Sequence, residues 1–194
     1  GYSEPETARF ILGYLSPGMT FFDVGAHLGE YTLLASQRVG PAGEVHAFEP
    51  QPDTWALLKR NVEANSFRNV RLNECAVSDS SGERDFAVRR EPSLSSLAGC
   101  RGTHDGTVAR TIAVTTKSLD AYCDERGRRP DLIKIDVEGA ELPVLRGARH
   151  LFEAPAGRAP CVVFEYGPEN YRVFGYGFED IRRFLEEAGY RVFE

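Results

Sequence analysis

The chain has 194 residues, 42% of them hydrophobic, and a formal net charge of −6. That length supports one well-buried core, and so a single domain over residues 1–194, while no apolar run reaches the roughly 18 to 20 residues a membrane-spanning helix needs. The acidic balance, with Lys and Arg scattered, speaks against nucleic acid as a partner, because duplex binding rests on a concentrated positive surface.

No basic-then-apolar signal segment opens the chain, so no membrane association and a cytoplasmic location are expected. The first residue is Gly and the single Met is Met19, which suggests that the native start lies upstream. Cys75, Cys100, Cys123 and Cys161 are far apart and contain no C-x-x-C. Small buried or loop thiols in a reducing compartment are expected, with no zinc site and no disulfide framework.

In chain order, "SEPETARFILGYL" spaces its apolar residues as a helix within residues 1–17, with Ser3 as its cap and Pro5 in its first turn. "TFFDV" is a buried strand and "EYTLLASQRV" the helix after it. "EVHAFEP" is a second strand, stopped by Pro50. "PDTWALLKRNVEAN" is a second helix, with Trp55, Leu58 and Val62 on one face. "VRLNECAV" is a third strand, followed by a turn at Ser81-Gly82 and a further strand. "TIAVTT" alternates as a strand, and "SLDAYCDERG" is a short helix closed by Gly127. "DLIKIDV" is a strand and "AELPVLRGARHLF" a helix whose start is restricted by Pro143. "CVVFEY" is a strand, "FEDIRRFLEEAGY" a helix ended by Gly189, and "RVFE" the beginning of a last strand. Strands alternating with helices of this length predict an α/β fold: a Rossmann-like, doubly wound, mostly parallel sheet with helices on both faces. Residues 89–110, polar and rich in Gly and Ser, break the rhythm and are expected to form a lid over the substrate end.

"FFDVGAHLGEYTLLAS" places a buried acid, Asp23, before the turn Gly25-Ala26-His27-Leu28-Gly29 and a helix start. In open α/β sheets ligands bind beyond the carboxyl ends of the strands, where such a turn admits a ligand to the backbone. The spacing is G-x-x-x-G rather than the dinucleotide G-x-G-x-x-G, and His27 stands where a diphosphate would want glycine. An acid at the strand end suits a positive amino group. Glu49, twenty positions after Gly29 and closing the second strand, suits two ribose hydroxyls. Together they describe a nucleoside carrying an amino acid, S-adenosyl-L-methionine.

With these pieces assembled, "FFDVGAHLGEYTLLAS", "VHAFEPQPDTWALLKRNVEAN", "NECAVSDSSG", "TTKSLDAYC", "DLIKIDVEGAELPVLRGA" and "VVFEYGPENY" resemble the FkbM-type methyltransferases, a branch of the class I S-adenosylmethionine-dependent fold, over residues 20–171. The resemblance implies O-methylation of a hydroxyl on a small molecule, sugar or polyketide-like product. It also implies that Asp23, Gly25, Ala26, His27 and Gly29 form the cofactor turn and that Glu49 holds the ribose. Cys75, Ala76 and Val77 are then expected along the adenine, with Asp136 beside the methionine part. His27 departs from the Asn more usual in the family, and the final antiparallel strand of the class I sheet is expected to be missing.

"IKIDVEGAE" is the chemical centre. Strand alternation points Lys134 and Asp136 to one face, with Glu138 just past the strand end and Glu141 in the first helical turn. Glu165, closing the neighbouring strand, could complete the cluster. A hydroxyl needs its proton removed as it attacks, so Glu138 or Asp136 is the expected base, with Glu165 as a further candidate. A divalent cation held by these carboxylates is a weaker reading, since no dedicated ligand pattern is visible, and no metal residue is assigned. His46 is expected to be structural. The alternatives are a methyltransferase acting on a macromolecule such as RNA ribose, and a nucleotide-binding module or dehydrogenase without methyl transfer.

Overall fold

The computed structural model describes residues 4–89, 95–97, 108–155 and 157–193. Its frame is a five-stranded parallel sheet of β1 (Thr20–Val24), β2 (Glu44–Phe48), β3 (Val70–Asn73), β8 (Leu132–Ile135) and β9 (Cys161–Phe164), in the order β3-β2-β1-β8-β9. The strand order reverses direction beside β1, the switch point at which such sheets bind ligands. Because all five strands run the same way, their carboxyl ends open on one edge. Helices cover both faces: α1 (Pro5–Tyr14), α2 (Glu30–Val39), α3 (Pro52–Ala64), α4 (Leu119–Arg126), α5 (Glu141–Arg146), α6 (Arg149–Phe152), α7 (Pro168–Val173) and α8 (Phe178–Glu187).

Phe21 and Phe22 show why β1 is central: both are fully buried, and they face opposite sides of the sheet. Phe21 packs with Ile11, Leu15, Ala35 and Val39 of the α1–α2 layer, whereas Phe22 joins Phe48, Tyr122, Leu145 and Phe152 on the other side. His46 belongs to that second layer; its Nδ1 lies 2.7 Å from the Tyr122 hydroxyl and it has no access to the cavity edge. The expected doubly wound α/β arrangement is present.

Four local expectations change. "VRLNECAV" is two strands, not one. It leaves the parallel sheet after Asn73, and β4 (Ala76–Val77) pairs instead with β7 (Val108–Lys117). β7 is the long antiparallel partner of β5 (Gly82–Arg89), and β6 (Ser96–Leu97) folds back on β5, giving a second sheet of order β4-β7-β5-β6. "AELPVLRGARHLF" is two short helices, α5 and α6, parted at Gly147, whose carbonyl accepts a hydrogen bond from Asp120 N at the start of α4. Pro143 is harmless in the first turn of α5, where an N–H has no partner within the helix. "RVFE" forms no strand among its described residues: Tyr190 instead donates to the Pro160 carbonyl, and Val192 packs on the core. Finally, α7 was not anticipated. Ser3, Cys100 and His104 lie outside the described residues; Cys75, Cys123 and Cys161 are free thiols. Among the described residues no helix is long and apolar enough to cross a membrane.

Candidate active site

Four of the five parallel strands each deliver one residue just past their ends. Gly25 follows β1, Glu49 follows β2, Asp136 follows β8 and Glu165 follows β9. The pairing register sets Ile135 beside Phe164, so Asp136 and Glu165 emerge side by side. All four line one cavity of about 370 Å³, within the size range of small-molecule sites.

At one end of the cavity the walls suit a nucleoside. Phe48, Pro50, Cys75, Ala76 and Val77 supply apolar surface beside Glu49. The Glu49 carboxylate accepts the His27 N–H at 3.0 Å and the Gln51 N–H at 2.9 Å, one on each oxygen. A carboxylate has about four acceptor positions, so two remain for a diol. Burial pushes Glu49 up to about 7, against the pull of the Gln51 and His27 N–H groups and of Lys134. His27 itself lines the cavity in a left-handed conformation (φ 49°), and burial lowers its pKa. Gly25 has φ 78°, and a Cβ there would overlap the Asp136 carbonyl oxygen, so the turn and the β8 loop can approach only across a glycine.

Asp23 is placed differently from a group that touches ligand. It is fully buried behind the turn and is not among the cavity-lining residues. Thr32 donates to its Oδ2 at 2.6 Å, and Lys134 Nζ lies 3.6 Å from its Oδ1. Lys134 also reaches Asp136 Oδ2 at 3.0 Å, donates to the Gly25 carbonyl at 3.1 Å and sits over the Tyr31 ring. Burial works against the ammonium, but Asp23 and Asp136 outweigh it and raise its pKa. One buried lysine thus ties both strand-end acids to the glycine turn. Ala26 and Gly29 likewise stand behind the cavity wall; Ala26 packs with Leu58 and Val62 of α3.

The other end of the cavity is acidic. One oxygen each from Asp136, Glu138 and Glu165 lies within 4.8 Å of the others. Burial first, and the neighbouring carboxylates second, push Glu138 up to about 7 and Glu165 up to about 8. Acid groupings of this kind are common without a cation, and Lys134 already sets a positive charge 3.0 Å from Asp136. Glu141 does not belong to the cluster. It is fully buried and turns back on its own loop, accepting Val137 N–H at 3.1 Å and Gly139 N–H at 3.4 Å, so its role is to hold the loop's shape.

Sequence reasoning did not find one wall of the cavity. Phe86 of β5 and Leu97 of β6 line it, with Ser95, and both cluster with Ala76 of β4 and with Ala140 just before α5. The alternation in "RDFAV" marks a strand with one apolar face, but not which cavity that face meets. Glu4, the residue before α1, also reaches this edge and accepts the Tyr31 hydroxyl at 3.0 Å.

The model of the Methyltransferase FkbM domain family matches residues 23–192. A hexuronic acid methyltransferase, AglP, of Haloferax volcanii is 30% identical over 153 residues, covering 78% of this chain and 59% of its own. The 31-O-demethyl-FK506 methyltransferase FkbM of Streptomyces tacrolimicus is 36% identical over 122 residues, covering 61% of this chain and 44% of its own. The chain therefore spans about half the length of these relatives. The crystal structure of a Methylobacillus flagellatus FkbM methyltransferase superposes with a TM-score of 0.60 at 16% identity, over 90% of this chain and 38% of that one, a likeness of fold.

Proposed function

The chain belongs to the FkbM methyltransferase family, and on that premise we propose that it is an S-adenosylmethionine-dependent O-methyltransferase acting on a hydroxyl of a small molecule, a sugar or a polyketide-like product. The observation that carries this reading is the polarity of the cavity at the strand ends, which has a nucleoside-fitting end at Glu49 and a carboxylate end at Asp136, Glu138 and Glu165. The relatives point the same way, one being named for a hexuronic acid and the other for 31-O-demethyl-FK506.

When bound, S-adenosylmethionine supplies a methyl group on a sulfonium, an excellent leaving group. The protein's part is then to position the acceptor oxygen and to take its proton. Glu49 takes the ribose hydroxyls. Cys75, Ala76 and Val77 lie along the adenine. Gly25 and His27 shape the turn against the methionine part, while Asp23 acts from behind through Lys134. Glu138 is the base, with Asp136 placing both ligands. Glu165, pushed to about 8, keeps its proton near neutral pH and relieves repulsion among the three acids. The direct test is calorimetry with S-adenosylhomocysteine and NAD. S-adenosylhomocysteine is expected to bind and NAD not to; binding of NAD alone would return the chain to the dehydrogenase-like alternative.

We propose that residues 89–110 serve the acceptor rather than the cofactor; of this stretch 90–94 and 98–107 lie outside the described residues, Arg89 ends β5, β7 begins at Val108, and Ser95 and Leu97 line the cavity. Deleting residues 93–107 and bridging the ends is expected to leave S-adenosylhomocysteine affinity nearly unchanged while abolishing turnover. Loss of cofactor affinity in a folded deletion protein would assign the stretch to the cofactor instead.

A further inference from the structure

Glu138 is held in a conformation that side-chain-bearing residues avoid: its φ is +53°, in the left-handed region. It is also surrounded by its own charge. Asp136 and Glu141 face it from its own loop and Glu165 from the end of β9, with Arg89 of β5 as the counter-charge. Left to itself, such a carboxylate would swing away from its neighbours. What restrains it comes from α7. Asn170 donates through Nδ2 to Glu138 Oε2 at 2.8 Å. The same helix and the turn that follows it are seated on the loop and on the end of β9 at further points. A Cβ on Gly139 would come within 2.8 Å of the Asn170 carbonyl oxygen and 2.9 Å of the Phe174 ring, so only glycine lets α7 this close. Tyr176 donates to the Gly139 carbonyl at 2.6 Å, and Tyr171 to the Glu165 carbonyl.

We propose that Asn170 is a positioning residue for Glu138, holding Oε2 so that Oε1 is presented to the acceptor proton; this rests on the reading of Glu138 as the base. An amide suits the task. It donates a hydrogen bond without carrying a charge, so it neither adds another acid to the cluster nor neutralises the base as a lysine would.

The test uses binding alone. Sinefungin carries an ammonium-bearing carbon in place of the methyl-sulfonium, so its affinity relative to S-adenosylhomocysteine reports a carboxylate facing the transferred methyl. The unaltered protein should prefer sinefungin, and Glu138→Gln should lose about ten-fold of that preference, as expected for one charge-assisted hydrogen bond. Asn170→Ala and the near-isosteric, uncharged Asn170→Leu should lose a similar factor with S-adenosylhomocysteine affinity unchanged, and Asn170→Ala added to Glu138→Gln should lose no more. If Glu138→Gln keeps the preference, Glu138 is not at the methyl and the base assignment falls, taking the proposal with it. If Glu138→Gln loses it but Asn170→Leu keeps it, the positioning role alone is wrong. Equal losses for both ligands in the Asn170 variants would show a merely structural residue and also overturn the proposal. Asn170→Leu removes the donor while keeping about the same volume and adding no charge, so the question is answered even where the Ala variant does not fold.

Discussion

Turnover by Glu138→Gln is expected to fall by about 10²- to 10⁴-fold, the span typical of a lost general base, with S-adenosylhomocysteine affinity little changed. The substitution keeps the size of the side chain and its bond to Asn170 while removing the basic lone pair. Asp136→Asn should behave differently. Its carboxylate is paired with Lys134 at 3.0 Å, and Lys134 also holds the Gly25 carbonyl, so cofactor affinity and turnover should decline together. The pH profile carries a second signature. Glu138 is pushed up to about 7, mainly by burial, and a base works only when ionised. The rate of the unaltered protein should therefore rise with pH through about 7 and level off above it, and the rise should vanish in Glu138→Gln. Assays with and without a chelator separate this from cation loss, which would disable Glu138→Gln and Asp136→Asn alike. Full activity in Glu138→Gln would move the base to Asp136, Glu165 or His27.

Glu49→Ala is expected to weaken S-adenosylhomocysteine binding by roughly 1.5 to 3 kcal/mol, the usual worth of hydrogen bonds to a charged group, or about 10- to 150-fold in Kd. Part of that loss is indirect. Glu49 also accepts the N–H groups of His27 and Gln51, so its removal loosens the glycine turn as well as deleting the ribose contact. Glu49→Gln separates the two effects, because an amide oxygen can still accept one backbone N–H while the charge is gone. Calorimetric titration of both variants, alongside their melting temperatures, reads the result. A lowered melting temperature with unchanged affinity would mean that Glu49 serves the turn and not the ribose.

The convergence of Glu49, Asp136 and Glu165 was legible in the sequence for a simple reason. Each sits directly after a short apolar run, parallel strands joined by helices put all their carboxyl ends on one edge, and acids at those positions must therefore gather there. Gly25 and His27 were legible too, since a backbone with φ above zero leaves a local mark in residue choice. What the chain does with Asp23 was not. The spacing shows an acid at the end of β1, but its commitment to Lys134 depends on β1 pairing with β8 across more than a hundred residues of sequence, and its bond from Thr32 on how α2 packs back on the strand.

The same distinction separates the rest of the site. By itself, the sequence determined the alternation of strands and helices, the edge where the strands end, the acid directly after β2 and the family, because these follow from periodicity and from residue types at strand ends. Only the tertiary structure decided that "VRLNECAV" divides between two sheets, that Phe86 and Leu97 line the cavity, that Glu141 props its own loop, and that α7 brings Asn170 to Glu138. In each of these cases the partner lies in another element, or the alternative local structure is equally good. Short segments such as β4 and α7, of two and six residues, carry too few residues to declare a period. They take their form from what they pack against.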